Sequence, residues 1–392
     1  MSTGEPVPDE TVPDESVPGD PVADDVTGDP DPTAILSVRD LKVDFSTDDG
    51  VVQAVRGVSW DVHEGEVLAI AGESGSGKSV SVLAAMGLLP PDARVSGSIS
   101  HRGQELLGMP EKQLERLRGS AMSMVFQDPM TSLNPVMSVG DQIAEGVRVH
   151  QKLKRQQARE RAAELLDLVG IADAARRVDS YPHELSGGMR QRAMIAMAIS
   201  NDPDVLIADE PTTALDVTIQ AQILDVLERA RQAVDSALIL ITHDLGVVAR
   251  TAHRLFVMYA GRTAETGMID DVFEHPVHPY TAGLLAAIPR LDTPRGRRLV
   301  PIEGSPPSML APSPGCAFQP RCTRASDLCT QDPPPPLTPV PLKSHHSACH
   351  HPLNPLQNPG EGLSDQTPPH SQSPSQSNTP LQKPQASENT YE

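Results

Sequence analysis

Apolar and polar positions change texture along the chain. From Ile35 to about Thr266, short apolar runs alternate with stretches of helical spacing, the pattern of a packed α/β domain. Val67 to Ala71, Val205 to Ala208 and Ala237 to Ile241 predict buried parallel strands. After the second of these, Ile223, Leu227, Ala230 and Val234 fall at i, i+4, i+7 and i+11, which predicts a helix with its stripe facing the sheet.

Residues 1–33 repeat a Val-Pro-Asp-Glu theme with too little apolar mass to offset chain entropy, so a disordered acidic leader is expected. A domain over 34–266 and an extension over 267–352 follow. The Ser, Gln, Pro and Asn of residues 353–392 predict a disordered polar tail. No period of 20 to 50 residues repeats, which predicts one main core and argues against tandem units.

The net charge is −20, and residues 1–38 hold ten acidic residues with no Lys or Arg. A binder of nucleic-acid backbone would need the opposite sign. No run of about 18 apolar residues appears, and the N-terminus lacks the features of a signal peptide, so the chain is expected to stay in the cytosol.

Gly72-Glu73-Ser74-Gly75-Ser76-Gly77-Lys78-Ser79, followed by Val80, fits the Walker A pattern in its required context, after an apolar strand and opening a helix. The glycines let backbone N–H groups face phosphate oxygens, Lys78 supplies charge, and the Ser79 hydroxyl ligates Mg²⁺. Val205 to Glu210 reads as a Walker B strand, placing Asp209 near Mg²⁺ and Glu210 where it can polarise the attacking water. Either element alone also has an ordinary reading: a Gly-Ser turn, or a buried strand ending in two acids.

Between them, Leu185-Ser186-Gly187-Gly188-Met189-Arg190-Gln191-Arg192 opens a helical run from Met189 to Ile199. Here the chain resembles ABC ATPases. The order of Gln127 in Val-Phe-Gln-Asp-Pro, Ala214-Leu215-Asp216, and His243 after a strand extends the likeness. The Ser186-Gly187-Gly188 turn at a helix N-terminus is a second phosphate site, expected to complete the site of a facing subunit. The resemblance implies that Gln127 contacts Mg²⁺ and a membrane partner, Asp216 lies at the dimer interface, and His243 holds the γ-phosphate while Glu210 acts as base. Phe45 is a candidate for adenine stacking, or equally a core aromatic of a strand.

Phe126 to Pro135, Tyr181 to Arg192 and Asp209 to Asp216 narrow the resemblance to ATP-binding subunits of oligopeptide/dipeptide permeases, over roughly residues 35–351. His275 to Leu285 and Gly315 to Cys322 resemble their C-terminal extension. The implied fold is an α/β P-loop NTPase ABC cassette, with a RecA-like core, an antiparallel β subdomain, a helical subdomain and a small cysteine-bearing extension. The implied function is ATP hydrolysis coupled to peptide uptake, at the cytoplasmic face of the cell membrane. Partners would be two membrane permease subunits, a second ABC ATPase and an extracellular solute-binding protein, with no nucleic acid. Relatives moving nickel or glutathione keep the solute open.

Cys316, Cys322, Cys329 and Cys349 lie in a proline-rich segment poor in apolar mass, where a metal centre could supply folding energy. Their spacing lacks the Cys-x2-Cys knuckle of zinc sites, and the resemblance points to a [4Fe–4S] cluster; zinc, or four buried or free thiols, are the alternatives. Two rival functions remain. A soluble ABC ATPase acting on DNA or ribosomes would need a coiled-coil arm, yet only 58 residues separate Gln127 from Ser186. A redox or metal sensor gating transport would act through the cysteines.

Overall fold

The computed structural model describes residues 31–213, 216–288, 301–331, 333–341 and 344–354. Residues 1–30, 355–392, Ala214 and Leu215 lie outside them, so most of the expected leader and tail is not described.

In chain order the strands are β1 (Leu36–Thr47), β2 (Gly50–Val62), β3 (Val67–Ala71), β4 (Arg94–His101), β5 (Gln104–Glu105), β6 (Met122–Val125), β7 (Val205–Asp209), β8 (Ala237–Thr242), β9 (Arg254–Tyr259), β10 (Arg262–Met268), β11 (Thr338–Pro339) and β12 (His346–Ser347). The helices are α1 (Lys78–Ala85), α2 (Glu111–Leu117), α3 (Pro129–Ser132), α4 (Val139–Gln151), α5 (Arg155–Leu168), α6 (Ala174–Arg177), α7 (Gly187–Ala198), α8 (Val217–Ala233), α9 (Leu245–Thr251), α10 (Ile269–Glu274) and α11 (Pro279–Ala286).

One antiparallel sheet runs β2-β1-β4-β5. The other runs β11-β12-β10-β9-β3-β8-β7-β6, and its five members from β9 to β6 are parallel. All three strands expected from their apolar runs are here, side by side, with Ala69 opposite Leu240 and Ile207 opposite Ile239. They lack polar alternation because both faces are covered.

Along β3, Val67, Ala69 and Ala71 enter one core while Leu68 and Ile70 enter a second. Strands β7, β8 and β9 divide in the same way, since successive side chains of a pleated strand point to opposite faces. The second core lies under the antiparallel sheet and includes Trp60, Phe256 and Val82 of α1. The first takes in the apolar sides of α4, α5 and α7, a helical lobe joined by mutual packing. Ser138 caps α4 by accepting from the Asp141 amide at 3.1 Å, which satisfies an orphan donor of the first turn.

The predicted stripe on α8 is buried at Ile223, Leu227 and Ala230, with Val226 beside them; Val234 caps the helix and is half-buried. Among the described residues no helix is long and apolar enough to cross a membrane.

The extension is not a separate layer, because β12 pairs with β10 in the same sheet. Buried Glu265 on β10 accepts from the amides of Val277 and His278 at 2.8 and 2.9 Å, and its Oε1 lies 2.7 Å from Nε2 of buried His345. One carboxylate therefore joins three remote stretches of chain, and its lone pairs are satisfied in the interior as burial demands.

Candidate active site

The C-terminal ends of the parallel strands converge on one edge of the sheet, the place where open α/β sheets hold ligands. After β3, residues 72–77 turn into α1 through Gly72, Gly75 and Gly77, all with positive φ. At Gly77, φ is +99° and a Cβ would lie 2.4 Å from the Ala54 carbonyl oxygen; at Gly72 it would meet the Met258 carbonyl at 2.2 Å. Only glycine fits either position, so these residues form the bare-backbone cradle that a phosphate chain needs. Lys78 is buried, and its ammonium donates to the carbonyls of Gly72 and Glu73 at 2.8 and 3.0 Å.

Opposite the cradle, Ser79 Oγ donates to Asp209 Oδ1 at 2.8 Å. This pairs a hydroxyl with a carboxylate at the end of β7, a hard oxygen set suited to Mg²⁺. Burial pushes the Asp209 carboxyl up, with the Glu210 charge adding to it and Ser79 and Lys78 opposing it. Burial pushes the Lys78 ammonium down against the pull of Glu210, Asp209 and Glu73. A buried acid and base shifted in opposite directions within one cleft mark a functional site.

Glu210 is the hub. Its φ of +46° is a left-handed conformation that costs a non-glycine residue about 1–3 kcal/mol, and its amide is fixed to the Ile241 carbonyl at 2.9 Å. Its Oε2 accepts from Thr213 Oγ1 at 2.9 Å and from Gln127 Nε2 at 3.3 Å, and lies 3.4 Å from His243 Nδ1. Neighbouring caps hold these groups. Asp128, next to Gln127, caps α3 at the Met130 amide, and Asp244, next to His243, caps α9 at the Gly246 amide. The structure thus gathers Lys78, Ser79, Asp209, Glu210, Gln127 and His243, residues drawn from four strand ends.

Ser186, Gly187, Gly188 and Met189 lie elsewhere, at the start of α7 in the helical lobe. There Ser186 Oγ accepts from the Met189 amide at 3.3 Å, while Ser186 and Gly187 are exposed. Asp216 is exposed at the start of α8. Phe45 is half-buried on β1 and packs against the second core, opposite Val52.

Three contacts have no warning in the sequence. Thr213 on Glu210 is one; the others are Arg321, which forks onto both oxygens of Glu73 at 2.6 and 2.9 Å, and Tyr280, whose hydroxyl accepts from the Glu73 amide at 2.8 Å. The hint the sequence offers is place alone: Thr213 lies within Asp209 to Asp216, Tyr280 within His275 to Leu285 and Arg321 within Gly315 to Cys322, stretches that carry the resemblance.

Cys316, Cys322, Cys329 and Cys349 carry free thiols. Burial pushes up those of Cys316 and Cys322, and that of Cys349 to about 11, and neighbouring thiols add to the effect. Among the described residues, no three His, Cys, Asp or Glu side chains are placed to hold a metal ion. The geometry therefore does not support the iron–sulfur centre, or the zinc alternative, expected from the cysteine spacing.

Comparison with known proteins agrees with this arrangement. Residues 55–213 match the ABC transporter family and residues 264–329 the family of oligopeptide/dipeptide transporter C-terminal regions. The chain is 56% identical over 296 residues to the oligopeptide transport ATP-binding protein OppD of Mycobacterium tuberculosis, covering 75% of this chain and 48% of that protein. It therefore spans about half the length of these mycobacterial relatives. It is 52% identical over 297 residues to the dipeptide transport ATP-binding protein DppD of Bacillus subtilis, covering 75% of this chain and 88% of that one. In fold it is similar to a dimeric ATP-binding cassette in a post-hydrolysis state bound to ADP and phosphate, with a TM-score of 0.54 and 23% identity over 60% of this chain and 98% of that one.

Proposed function

The chain belongs to the ATP-binding proteins of oligopeptide and dipeptide ABC transporters, and on that footing we propose that it binds and hydrolyses ATP to drive peptide uptake. The observation that carries this reading is the convergence of Gln127, Thr213 and His243 on the single carboxylate of Glu210, across the cleft from the Lys78 cradle.

Backbone amides of residues 74–77 and the Lys78 ammonium hold the phosphates, the Glu73 amide being taken by Tyr280. Ser79, Asp209 and Gln127 would hold Mg²⁺, which supplies positive charge to the phosphate oxygens when bound. Glu210 accepts the proton of the attacking water and His243 faces the γ-phosphate. Phe45, at the edge of the second core, stacks on adenine. The exposed Ser186-Gly187 turn closes on the phosphates of a second ABC ATPase, and Asp216 lines that interface. Two membrane permease subunits and an extracellular solute-binding protein complete the importer, with this chain on the cytoplasmic face.

Exchange of Glu210→Gln tests the reading. MgATP should still bind, while turnover falls by about 10²–10⁴, the contribution of a positioned general base. Turnover within a few-fold of the parent protein would rule Glu210 out as the base.

A further inference from the structure

The second residue of the phosphate cradle is an acid. A carboxylate in a loop built to receive polyphosphate repels its own ligand unless it is neutralised and held aside. Glu73 meets both conditions through residues of the extension, 207 and 248 positions away in sequence.

Arg321 has five N–H donors, and all five are engaged. Nη1 donates to Glu73 Oε2 at 2.6 Å and to the Tyr259 hydroxyl at 3.2 Å. Nη2 donates to Glu73 Oε1 at 2.9 Å and to the Ile302 carbonyl at 3.2 Å, and Nε donates to the Glu303 carbonyl at 2.9 Å. Its side chain is 5% exposed, and the guanidinium stands 5.8 Å from the ring centre of Tyr259 and 6.0 Å from that of Phe318. Those two rings and Tyr280 form one aromatic cluster, with centroids 4.6 to 5.4 Å apart. From that cluster the Tyr280 hydroxyl takes the Glu73 amide. Both the backbone and the side chain of Glu73 are thus gripped from outside the cradle, in a bidentate geometry that a lysine cannot reproduce.

The geometry points to Arg321, seconded by Tyr280, as a positioning residue for nucleotide: it neutralises Glu73 and fixes the cradle in its phosphate-accepting shape. Arg321 touches no reacting atom and acts through Glu73. This inference rests on the ATP-binding reading above and adds to it that the extension sets ATP affinity. Its anchor is the cysteine segment, since the Arg321 amide donates to the Phe318 carbonyl at 3.0 Å and the Cys316 amide to the Cys329 carbonyl at 2.9 Å.

The test compares Arg321→Met, Arg321→Lys and the double variant Glu73→Gln/Arg321→Met with the parent chain. An uncompensated carboxylate charge in the cradle should weaken MgATP binding on the order of tenfold. KM for ATP should rise accordingly while kcat stays within about twofold. Lysine should restore part of the loss, and the double variant, which removes the repelling charge, should bind better than Arg321→Met alone. A plain structural staple would lower thermal stability without this rescue. Arg321→Met binding MgATP as well as the parent, or a double variant no better than the single, would overturn the inference. Hydrogen exchange of the nucleotide-free protein provides a readout independent of ATP. Amides of residues 72–77 should exchange faster in Arg321→Met, and unchanged protection would overturn the clasp even with the ATPase reading intact. A parent chain that fails to bind MgATP would overturn the functional reading, whatever the exchange rates show.

Discussion

At Gly77, sequence, backbone and chemistry meet in one atom that is missing. With φ at +99° and the Ala54 carbonyl 2.4 Å from where a Cβ would stand, Gly77→Ala must either displace β2 or distort the entry to α1. The expected result is a stability loss of about 1–3 kcal/mol by urea unfolding. A larger relative loss of MgATP binding by calorimetry should accompany it, and unchanged binding would contradict the assignment of these residues as the phosphate cradle. Residues of this kind were legible beforehand because their identity follows from local chemistry: a loop after a buried strand must show glycines, a lysine and a hydroxyl to hold phosphate. Asp209 and Glu210 were marked by their place at the end of an apolar strand, whereas Gln127 and His243 were picked out only by the resemblance to ABC ATPases. Arg321 was not. Its role depends on a partner 248 residues away, and no periodicity or motif spacing encodes such a pairing.

Helix α11 shows how an element of the extension is held at a cost in pH range. His278, buried at its N-cap, accepts from the Tyr280 amide through Nδ1 at 3.0 Å, and its own amide is taken by Glu265. Burial pushes its pKa down to about 4, although the Glu265 charge pulls the other way. Unfolded chain takes up a proton near pH 6.5, whereas the folded protein keeps the ring neutral until about pH 4. Stability from this group is therefore complete above pH 6.5 and is lost as pH falls towards 4. His278→Asn keeps a capping acceptor without the titration. The melting temperature of that variant should fall less steeply between pH 6.5 and 4, and a slope equal to that of the parent protein would refute the assignment. Among the elements, β3, β7 and β8 were read correctly because strands covered on both faces are continuously apolar, and α8 because one covered face leaves a helical stripe. The two-residue strands β11 and β12 are too short for any pattern to register, and they exist because β10 offers an edge to pair with. The cysteines mark the limit of spacing: it fixes how far apart four thiols lie along the chain, whereas which of them meet depends on how the intervening loops fold, as where the Cys316 amide donates to the Cys329 carbonyl.

In the whole molecule, one sheet carries both the nucleotide cradle and the strand that recruits the extension, so the two are parts of a single body rather than neighbours on a linker. The acidic excess in residues 1–38 lies almost wholly outside the described part. Within that body Lys78, Ser79, Asp209, Glu210, Gln127 and His243 gather at one edge of the parallel sheet, and the Ser186 turn is exposed on the helical lobe. On the function proposed above, each chain holds nucleotide by its own cradle and lends its turn to another. Calorimetric titration of MgATP into the purified chain, into Lys78→Ala and into Ser186→Ala tests this division most directly. The account predicts that the parent and Ser186→Ala bind with similar affinity while Lys78→Ala loses binding; nucleotide held equally well without the Lys78 ammonium would contradict it.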